Sequence, residues 1–488
     1  MRPPGDRSRR GHRRARWVLR GLSAAILLHS AACEPDGPVA PTTPPDPPTP
    51  PYFAPRVLAS TASPIPANAL GANVAVRLRF TDSVAVRYGL AGNMLDSTTP
   101  AVVPLGDSAL VPVLGLVPDT VYALQVVAWN HGQRVGDTLT LRTGALPSDL
   151  PTYVASGPDP SPGYVVFAAG KYGIVIDNTG RVVWYRQFPY GAGLSFAAQP
   201  NGRYVARPLA AEPTEPPVWV EMDPLGTVTR TLACAHGLVS RLHDLIADPD
   251  GSYWLMCDDT RLVDLSALGG FASAQVTGTA VQHVSADGAL LFEWTPFDHF
   301  DIADLDVPSR SGAAVNWTHG NSIDLDADGN LVISFRNLSE VTKIDTRTGK
   351  VLWRLGGVRN EFTFADTPAP AFARQHGVRL AVDGGLLLLD NLGDPTVSRA
   401  ERYDYDPALR AARLLASNEP VPAVTAQLGG SVQELPRGRT LVSYGTGARV
   451  EEYDASGHVV WRIEGAPGYI FRAQRIRSLY APGVGLPR

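Results

Sequence analysis

The sequence predicts an all-β protein, an N-terminal β-sandwich followed by a six-bladed β-propeller, and three observations carry that expectation. Glycine and proline are abundant, 47 and 43 of 488 residues, which supplies the turns that many short strands need. Residues 56–146 alternate apolar and polar positions, the period of a half-buried strand. Residues 150–488 repeat one unit of strand, hairpin, strand, glycine turn and a last strand ending in tryptophan.

The N-terminus reads as an export segment. Eight arginines lie between Arg2 and Arg20. An apolar run from Gly21 to Ala32 follows, shorter than the roughly 20 residues a membrane-spanning helix needs. Residues 1–32 are therefore expected to be a signal peptide, and Arg9-Arg10 and Arg13-Arg14 leave twin-arginine export open. Ser30-Ala31-Ala32-Cys33 resembles the lipobox of bacterial lipoproteins, with Ser30 at the usual leucine position. That resemblance implies a lipid on Cys33, and ordinary cleavage near Ala32 is the alternative. The expected location is outside the cytoplasm, as a periplasmic or cell-surface lipoprotein tethered to a membrane through Cys33. Residues 33–55 form the linker, which Pro38, Pro41, Pro44, Pro45, Pro47, Pro48, Pro50 and Pro51 stiffen toward polyproline II.

Within residues 56–146, Val74-Ala75-Val76-Arg77-Leu78-Arg79-Phe80 is a clear strand. Leu116-Val117-Pro118-Asp119-Thr120-Val121-Tyr122 resembles the Leu-x-Pro-x-Thr-x-Tyr run of fibronectin type III domains. The resemblance implies a β-sandwich with the leucine and tyrosine packed at a corner. Spacing, formation of a homodimer and covering a site are the roles open to it. Residues 150–488 hold the repeats. One unit runs from Tyr164 to Trp184-Tyr185, another from Leu331 to Trp353-Arg354, a third from Thr440 to Trp461-Arg462. These are four-stranded blades. Six are expected, starting near residues 153, 194, 240, 317, 374 and 428, with an insertion in the third to about residue 310. The tryptophans are expected to pack between blades.

In a propeller the innermost strands converge on one channel, so residues at blade starts meet at its mouth. His243, His319 and His376 hold that position in three successive blades, and Arg336 falls beside them. After Cys33, Cys234 and Cys257 remain, and they form either a disulfide, as exported proteins often have, or two buried thiols. The formal charge of −4 carries no nucleic-acid footprint.

Residues 150–488 resemble the bacterial arylsulfate sulfotransferase (arylsulfotransferase) family. The matching pieces are His243-Asp244, Trp317-x-His319-x-Asn321-Ser322, Arg336, Gln375-His376, Asp390-Asn391, Ser398-Arg399 and Phe471-Arg472-Ala473-x-Arg475-x-x-Ser478-Leu479-Tyr480. The resemblance implies a sandwich ahead of a six-bladed propeller. It implies transfer of a sulfuryl group from a phenolic sulfate ester to a phenol, with no cofactor and without 3′-phosphoadenylyl sulfate. It assigns His376 as the nucleophile that becomes a sulfohistidine, His243, His319 and Arg336 as sulfate-binding partners, and Asn321 as a further site residue. Arg399 either contacts sulfate or anchors a strand by a salt bridge.

The chemistry is consistent with these residue types. A guanidinium offers a planar fork of donors to sulfate oxygens. A neutral imidazole is a competent nucleophile at neutral pH. A second imidazole, His243 or His319, is expected to give a proton to the departing phenolate and take one from the acceptor phenol. Three histidines also suit zinc or copper, but Arg336 in the same place would repel a cation, so no metal is expected. Asp324-x-Asp326-x-Asp328-Gly329-Asn330 starts like a calcium loop. Phe335 stands where the bidentate glutamate belongs, so a hairpin turn is expected. The competing function is a non-catalytic cell-surface propeller that binds sulfated or acidic ligands.

Overall fold

The structure is a computed structural model and describes residues 53–365, 372–393, 396–465 and 467–485. The export segment (residues 1–32), Cys33 and the linker up to residue 52 lie outside these residues.

Residues 56–142 form two facing sheets. Arg56–Ile65, Asn68–Arg79 and Ser108–Leu114 pair antiparallel in one; Ser97–Thr98, Ser83–Leu90, Val121–Trp129 and Gln133–Arg142 pair in the other. The alternation seen in the sequence explains the packing. Val74, Val76 and Leu78 point inward and meet Val84, Val86, Leu124 and Val126 of the facing sheet, while Arg77 and Arg79 between them are exposed. At the corner, the Val117 amide donates to the Tyr122 hydroxyl at 3.0 Å.

From residue 154 onward the described residues form six mainly antiparallel sheets. Four of them use consecutive strands. The second sheet starts with Phe196–Ala198, the third with Val239–Ala247 and the fourth with Gly320–Leu325; the fifth has His376–Leu380 at its inner edge, after the short outer strand Thr363–Phe364. The first and sixth sheets exchange chain ends. Ala473–Ile476 pairs with Tyr164–Ala169 as the inner strand of the first sheet, and Val154–Ser156 pairs with Val459–Glu464 as the outer strand of the sixth. The unit that begins at Tyr164 in the sequence therefore lacks an inner strand of its own, and the C-terminus supplies it. Inner strands of all six sheets line one cavity of about 100 Å³.

The outer-strand tryptophans tie neighbouring sheets together. The indole N–H of Trp184 donates to Pro224 O at 2.9 Å, that of Trp294 to Gly349 O at 3.1 Å, and that of Trp461 to Asn178 O at 2.9 Å. Each bond runs from one sheet to a turn of the next, and the last runs from the sixth sheet back to the first. The insertion after Trp294 carries short 3₁₀ turns, one helical turn at Val307–Arg310, and Ala314–Asn316, which pairs in parallel with Ala274–Val284. The Asp326 side chain accepts the Asp328 and Asn330 amides at 2.9 Å each, so this aspartate shapes a hairpin turn.

The sandwich contacts the first sheet. The Ala69 amide donates to the Tyr185 hydroxyl, and the Leu114 amide to the Tyr480 hydroxyl, both at 3.1 Å. Leu70 packs among Phe167, Ile174 and Tyr185.

Of the two arrangements open to the cysteine pair, the structure has the disulfide, Cys234–Cys257, which closes a 23-residue separation. Constraint of the unfolded chain by a loop of that size is worth roughly 3 kcal/mol. Replacing both residues together (Cys234→Ala, Cys257→Ala) lowers the unfolding free energy by about that amount in urea titrations. Reductant should destabilise the native chain and leave the double variant unchanged.

Candidate active site

The three histidines reach the site from irregular places in their strands. Register slips between Ser240 and Leu245, between Gly320 and Ser322, and between His376 and Arg379. Such bulges turn a side chain out of the regular alternation and gather beside functional sites. His319 also has φ of 49°, a left-handed conformation unusual for a residue with a Cβ. Neighbouring bonds hold it there. The Gly320 amide donates to Thr279 Oγ1 at 2.8 Å, and the Arg336 amide donates to His319 O at 3.1 Å.

The result is a cluster. The rings of His243 and His319 meet edge-on with centroids 5.0 Å apart. Phe471 stands between the other pair, 5.5 Å from His243 and 6.2 Å from His376. His243 and His376 are buried and His319 is partly so.

Hydrogen bonds fix the tautomer of His376. Asn391 Nδ2 donates to Ala426 O and Gly429 O, both at 2.9 Å, so its Oδ1 must be the acceptor facing His376. His376 Nδ1 lies 2.8 Å from that oxygen and 3.1 Å from Arg374 O. Two acceptors place the proton on Nδ1. Nε2 keeps its lone pair, met by a long contact from the Gly429 amide at 3.3 Å. His319 has the opposite tautomer. Asn316 Nδ2 donates to its Nδ1 at 2.6 Å, leaving Nε2–H as a donor.

Arg336 is the charge at this cluster. Its fork reaches Asn337 Oδ1 at 3.0 Å and Gln427 O at 3.1 Å. Its buried Nε has no partner, and no ion pair forms on it among the described residues. Other nearby cations are paired, Arg241 with Asp258, Arg472 with Asp244, and Arg374 with Asp306 at 3.5 Å. An unneutralised, partly buried guanidinium calls for an anion.

Burial, and then the Arg336 and Arg472 charges, push the His376 pKa down to about 4, against the Asn391 bond that favours the charged ring. Burial, then Arg241 and Arg336, push His319 to about 2. Burial, with Arg241 next, holds His243 well below its ordinary value. All three rings are neutral near pH 7.

Two residues expected to bind substrate have other engagements. Asn321 Nδ2 donates to Gln375 O at 2.7 Å, which anchors the backbone just ahead of His376. Its Oδ1 is buried without a partner. Arg399 bonds to Asp390 at 2.8 Å and to Glu401 at 2.7 Å. It braces the aspartate next to Asn391. Asn391, Phe471 and Arg472 stand at the site without having been singled out for it, although each lies in a stretch that carried the resemblance. Among the described residues, no three His, Cys, Asp or Glu side chains are grouped to hold a metal ion.

Depressed histidines give a signed pH dependence. The unfolded chain binds protons near the ordinary histidine pKa of about 6.5, and the folded chain does not. Stability is therefore full above that value and falls as pH drops toward about 4, where His376 charges. Urea unfolding at pH 7 and pH 5 should show the loss. Histidine ring NMR should find His376 uncharged at about pH 5.5; a midpoint near the ordinary histidine value would contradict this environment.

The arylsulfotransferase (ASST) family model matches residues 223–466, half of the 488-residue chain. The span includes His243, His319, Arg336, His376 and Asn391. No curated protein matches the chain. Solved structures with some likeness include a Bacteroides caccae protein of unknown function, 15% identical with TM-score 0.43, covering 65% of this chain and 100% of that one. Another is virginiamycin B lyase from Staphylococcus aureus, 11% identical with TM-score 0.36, covering 63% and 87%. A putative 6-phosphogluconolactonase from Bacteroides fragilis is 11% identical with TM-score 0.35, covering 81% and 98%. By the match over residues 223–466, the chain belongs to the arylsulfotransferase family.

Proposed function

We propose that this chain is an aryl sulfotransferase that moves a sulfuryl group from a phenolic sulfate ester to a phenol, without 3′-phosphoadenylyl sulfate, through a sulfohistidine on His376. One observation carries the reading: an uncompensated guanidinium, Arg336, stands with three neutral imidazoles, one of which presents an unprotonated Nε2. That arrangement suits an anionic electrophile. Family membership supports the reaction class.

His376 Nε2 donates its electron pair to sulfur as the sulfur–oxygen bond to the aryl group breaks, and the phenolate leaves with that bond's electrons. The positive charge that develops on the ring is shared through Nδ1–H with Asn391 Oδ1 and Arg374 O. Arg336 and His319 Nε2–H face the charge on the sulfuryl oxygens. An acceptor phenol then attacks sulfur as its O–H proton passes to a neutral imidazole, His319 or His243, and on to solvent; the N–S bond breaks with its electron pair returning to Nε2, and His376 is neutral again. A neutral imidazole cannot hand its last ring proton to a phenolate, so acid help requires a charged ring. Binding of an anionic ester offsets the field of Arg336, the charge that holds His319 down after burial and Arg241, and so raises His319 toward protonation.

The remaining readings form one picture. The six sheets are the blades of a six-bladed propeller (residues 150–488), which the Trp461–Asn178 bond and the exchanged chain ends support. Residues 56–146 are a fibronectin type III-like sandwich, supported by the strand pairing and the Tyr122 corner bond. Export and lipidation at Cys33 rest on residues 1–33, and the disulfide fits an oxidising location. A homodimer through the sandwich belongs to the same proposal.

Incubation with 4-nitrophenyl sulfate and phenol should release yellow nitrophenolate with ping-pong kinetics, and donor alone should add one sulfuryl group to a peptide containing His376. His376→Asn should abolish labelling. Arg336→Lys keeps the charge, loses the fork, and should slow the donor half-reaction by about 10²-fold or more. Dialysis against a chelator should leave activity intact. A folded protein that binds 4-nitrophenyl sulfate without turnover would replace the enzyme by the binding module.

Calorimetry of donor binding to His376→Asn, in buffers of different ionisation enthalpy near pH 6.5, measures whether a proton is taken up with the ester. Uptake of no protons would remove His319 as the acid and leave an unprotonated phenolate as the leaving group.

A further inference from the structure

An apolar cavity of about 530 Å³ opens beside the histidine cluster, walled by Tyr153, Leu194, Leu209, Leu242, Tyr469 and Phe471. Its volume lies within the range of small-molecule pockets, about 300–1,000 Å³. Leu209 and Tyr469 are 50% and 39% exposed, so apolar surface faces water in a concavity.

Three observations connect this cavity to the chemistry. Phe471 is common to both, since its ring packs on His243 and His376. Leu242 precedes His243 in the chain. The Tyr469 hydroxyl lies close to Gly429, because a Cβ built there would fall 2.8 Å from it, and the Gly429 amide is the group that touches His376 Nε2. The cavity includes no residue of the fourth or fifth sheet, the two that carry His319 and His376. In-line displacement at sulfur puts the departing oxygen opposite the attacking nitrogen. An aryl group must therefore extend away from His376 Nε2, and this cavity, which shares Phe471 with the cluster and is lined by Leu242, is the apolar space beside it.

We propose that this cavity is the aryl subsite, that it admits fused two-ring phenols as well as single rings, and that Leu194 and Leu209, which flank the first two strands of the second sheet, set the size limit. Donor and acceptor rings use it in turn, since the two half-reactions mirror one another. Tyr469, whose hydroxyl lies close to Gly429, lines the cavity. The proposal rests on the sulfuryl-transfer reading for the charged end of the ligand, while the apolar wall is independent of it.

The test compares native chain with Leu209→Trp and Leu194→Trp, two independent ways to fill the space from partly exposed positions. Circular dichroism and thermal unfolding establish that each variant is folded. Turnover is measured with phenyl sulfate and 1-naphthyl sulfate, and binding of the unsulfated phenol 4-methylumbelliferone by its fluorescence. The native chain should turn over both esters. In each folded variant, kcat/KM for 1-naphthyl sulfate should fall at least tenfold more than for phenyl sulfate, and 4-methylumbelliferone should bind at least tenfold more weakly. Equal kinetics for the two esters in native chain and both variants would overturn the subsite. If no ester turns over but 4-methylumbelliferone binds and both tryptophans weaken it, the cavity stands as a phenol site and the sulfuryl-transfer reading falls. If the native chain turns over esters and the tryptophans leave 4-methylumbelliferone binding unchanged, the reverse holds.

Discussion

One carboxylate holds the candidate site together. Asp244 is buried at the centre of the six-sheet unit, where it accepts the Ile323 amide at 3.1 Å and Arg379 at 2.9 Å, and pairs with Arg472. Burial alone would raise its pKa, but the charges of Arg379 and Arg472 outweigh it and hold the group ionised. Those partners lie on the fourth and fifth sheets and on the lead-in to the closing strand of the first. Each neighbours a residue of the site. Asp244 follows His243, Ile323 lies two residues after Asn321, Arg379 three after His376, and Arg472 follows Phe471. A single buried anion thus sets the spacing of four inner strands. Leaving it unpaired, or removing it, strands charge in a low-dielectric interior, which costs several kcal/mol.

The site above it is built by departures from regular pairing. A strict two-residue alternation would turn each histidine either into a sheet core or along the channel wall. The slips at Arg241–Asp244, at Asn321 and at Gly377–Val378 break that alternation in three sheets at the same end. Gly377 shows why a glycine is needed. Its φ is 63°, and a Cβ there would meet Gly430 O and Ser431 Cα at 2.8 Å. The close approach brings the fifth and sixth sheets together below His376 and allows the Gly429 backbone to reach Nε2.

Much of this was legible in the sequence, and the rest was hidden for physical reasons. The recurring unit ending in Trp184, Trp353 or Trp461 identified the sheets, because each tryptophan must bury against a neighbour. Equivalent positions of His243, His319 and His376 foretold their convergence. The borrowed inner strand did not show, since Ala473–Ile476 pairs with residues about three hundred positions earlier, and local patterning carries no trace of such a partner. Asn391 and Phe471 were hidden likewise, because their roles depend on contacts across sheets. Arg399 was ambiguous for a different reason. Glu401 shares its strand face at a spacing of two, but Asp390 comes from the neighbouring strand, and that second carboxylate showed only in the fold.

The electrostatic design follows from burial and charge acting in one direction. Desolvation keeps an imidazole neutral, and so does a nearby guanidinium. Together they allow three histidines to sit within one cluster without mutual repulsion, with lone pairs available far below the ordinary histidine range. The same guanidinium that suppresses their protonation attracts the anion that would reverse it. An anionic ester at Arg336 would therefore raise the pKa values of the imidazoles around it. A site with a carboxylate beside Arg336 would lose that coupling, since the charge would be neutralised before substrate arrived. The pairing of Arg241 with Asp258 and of Arg472 with Asp244, with Arg336 left unpaired, concentrates the response at the one position where sulfate oxygens and imidazoles would meet.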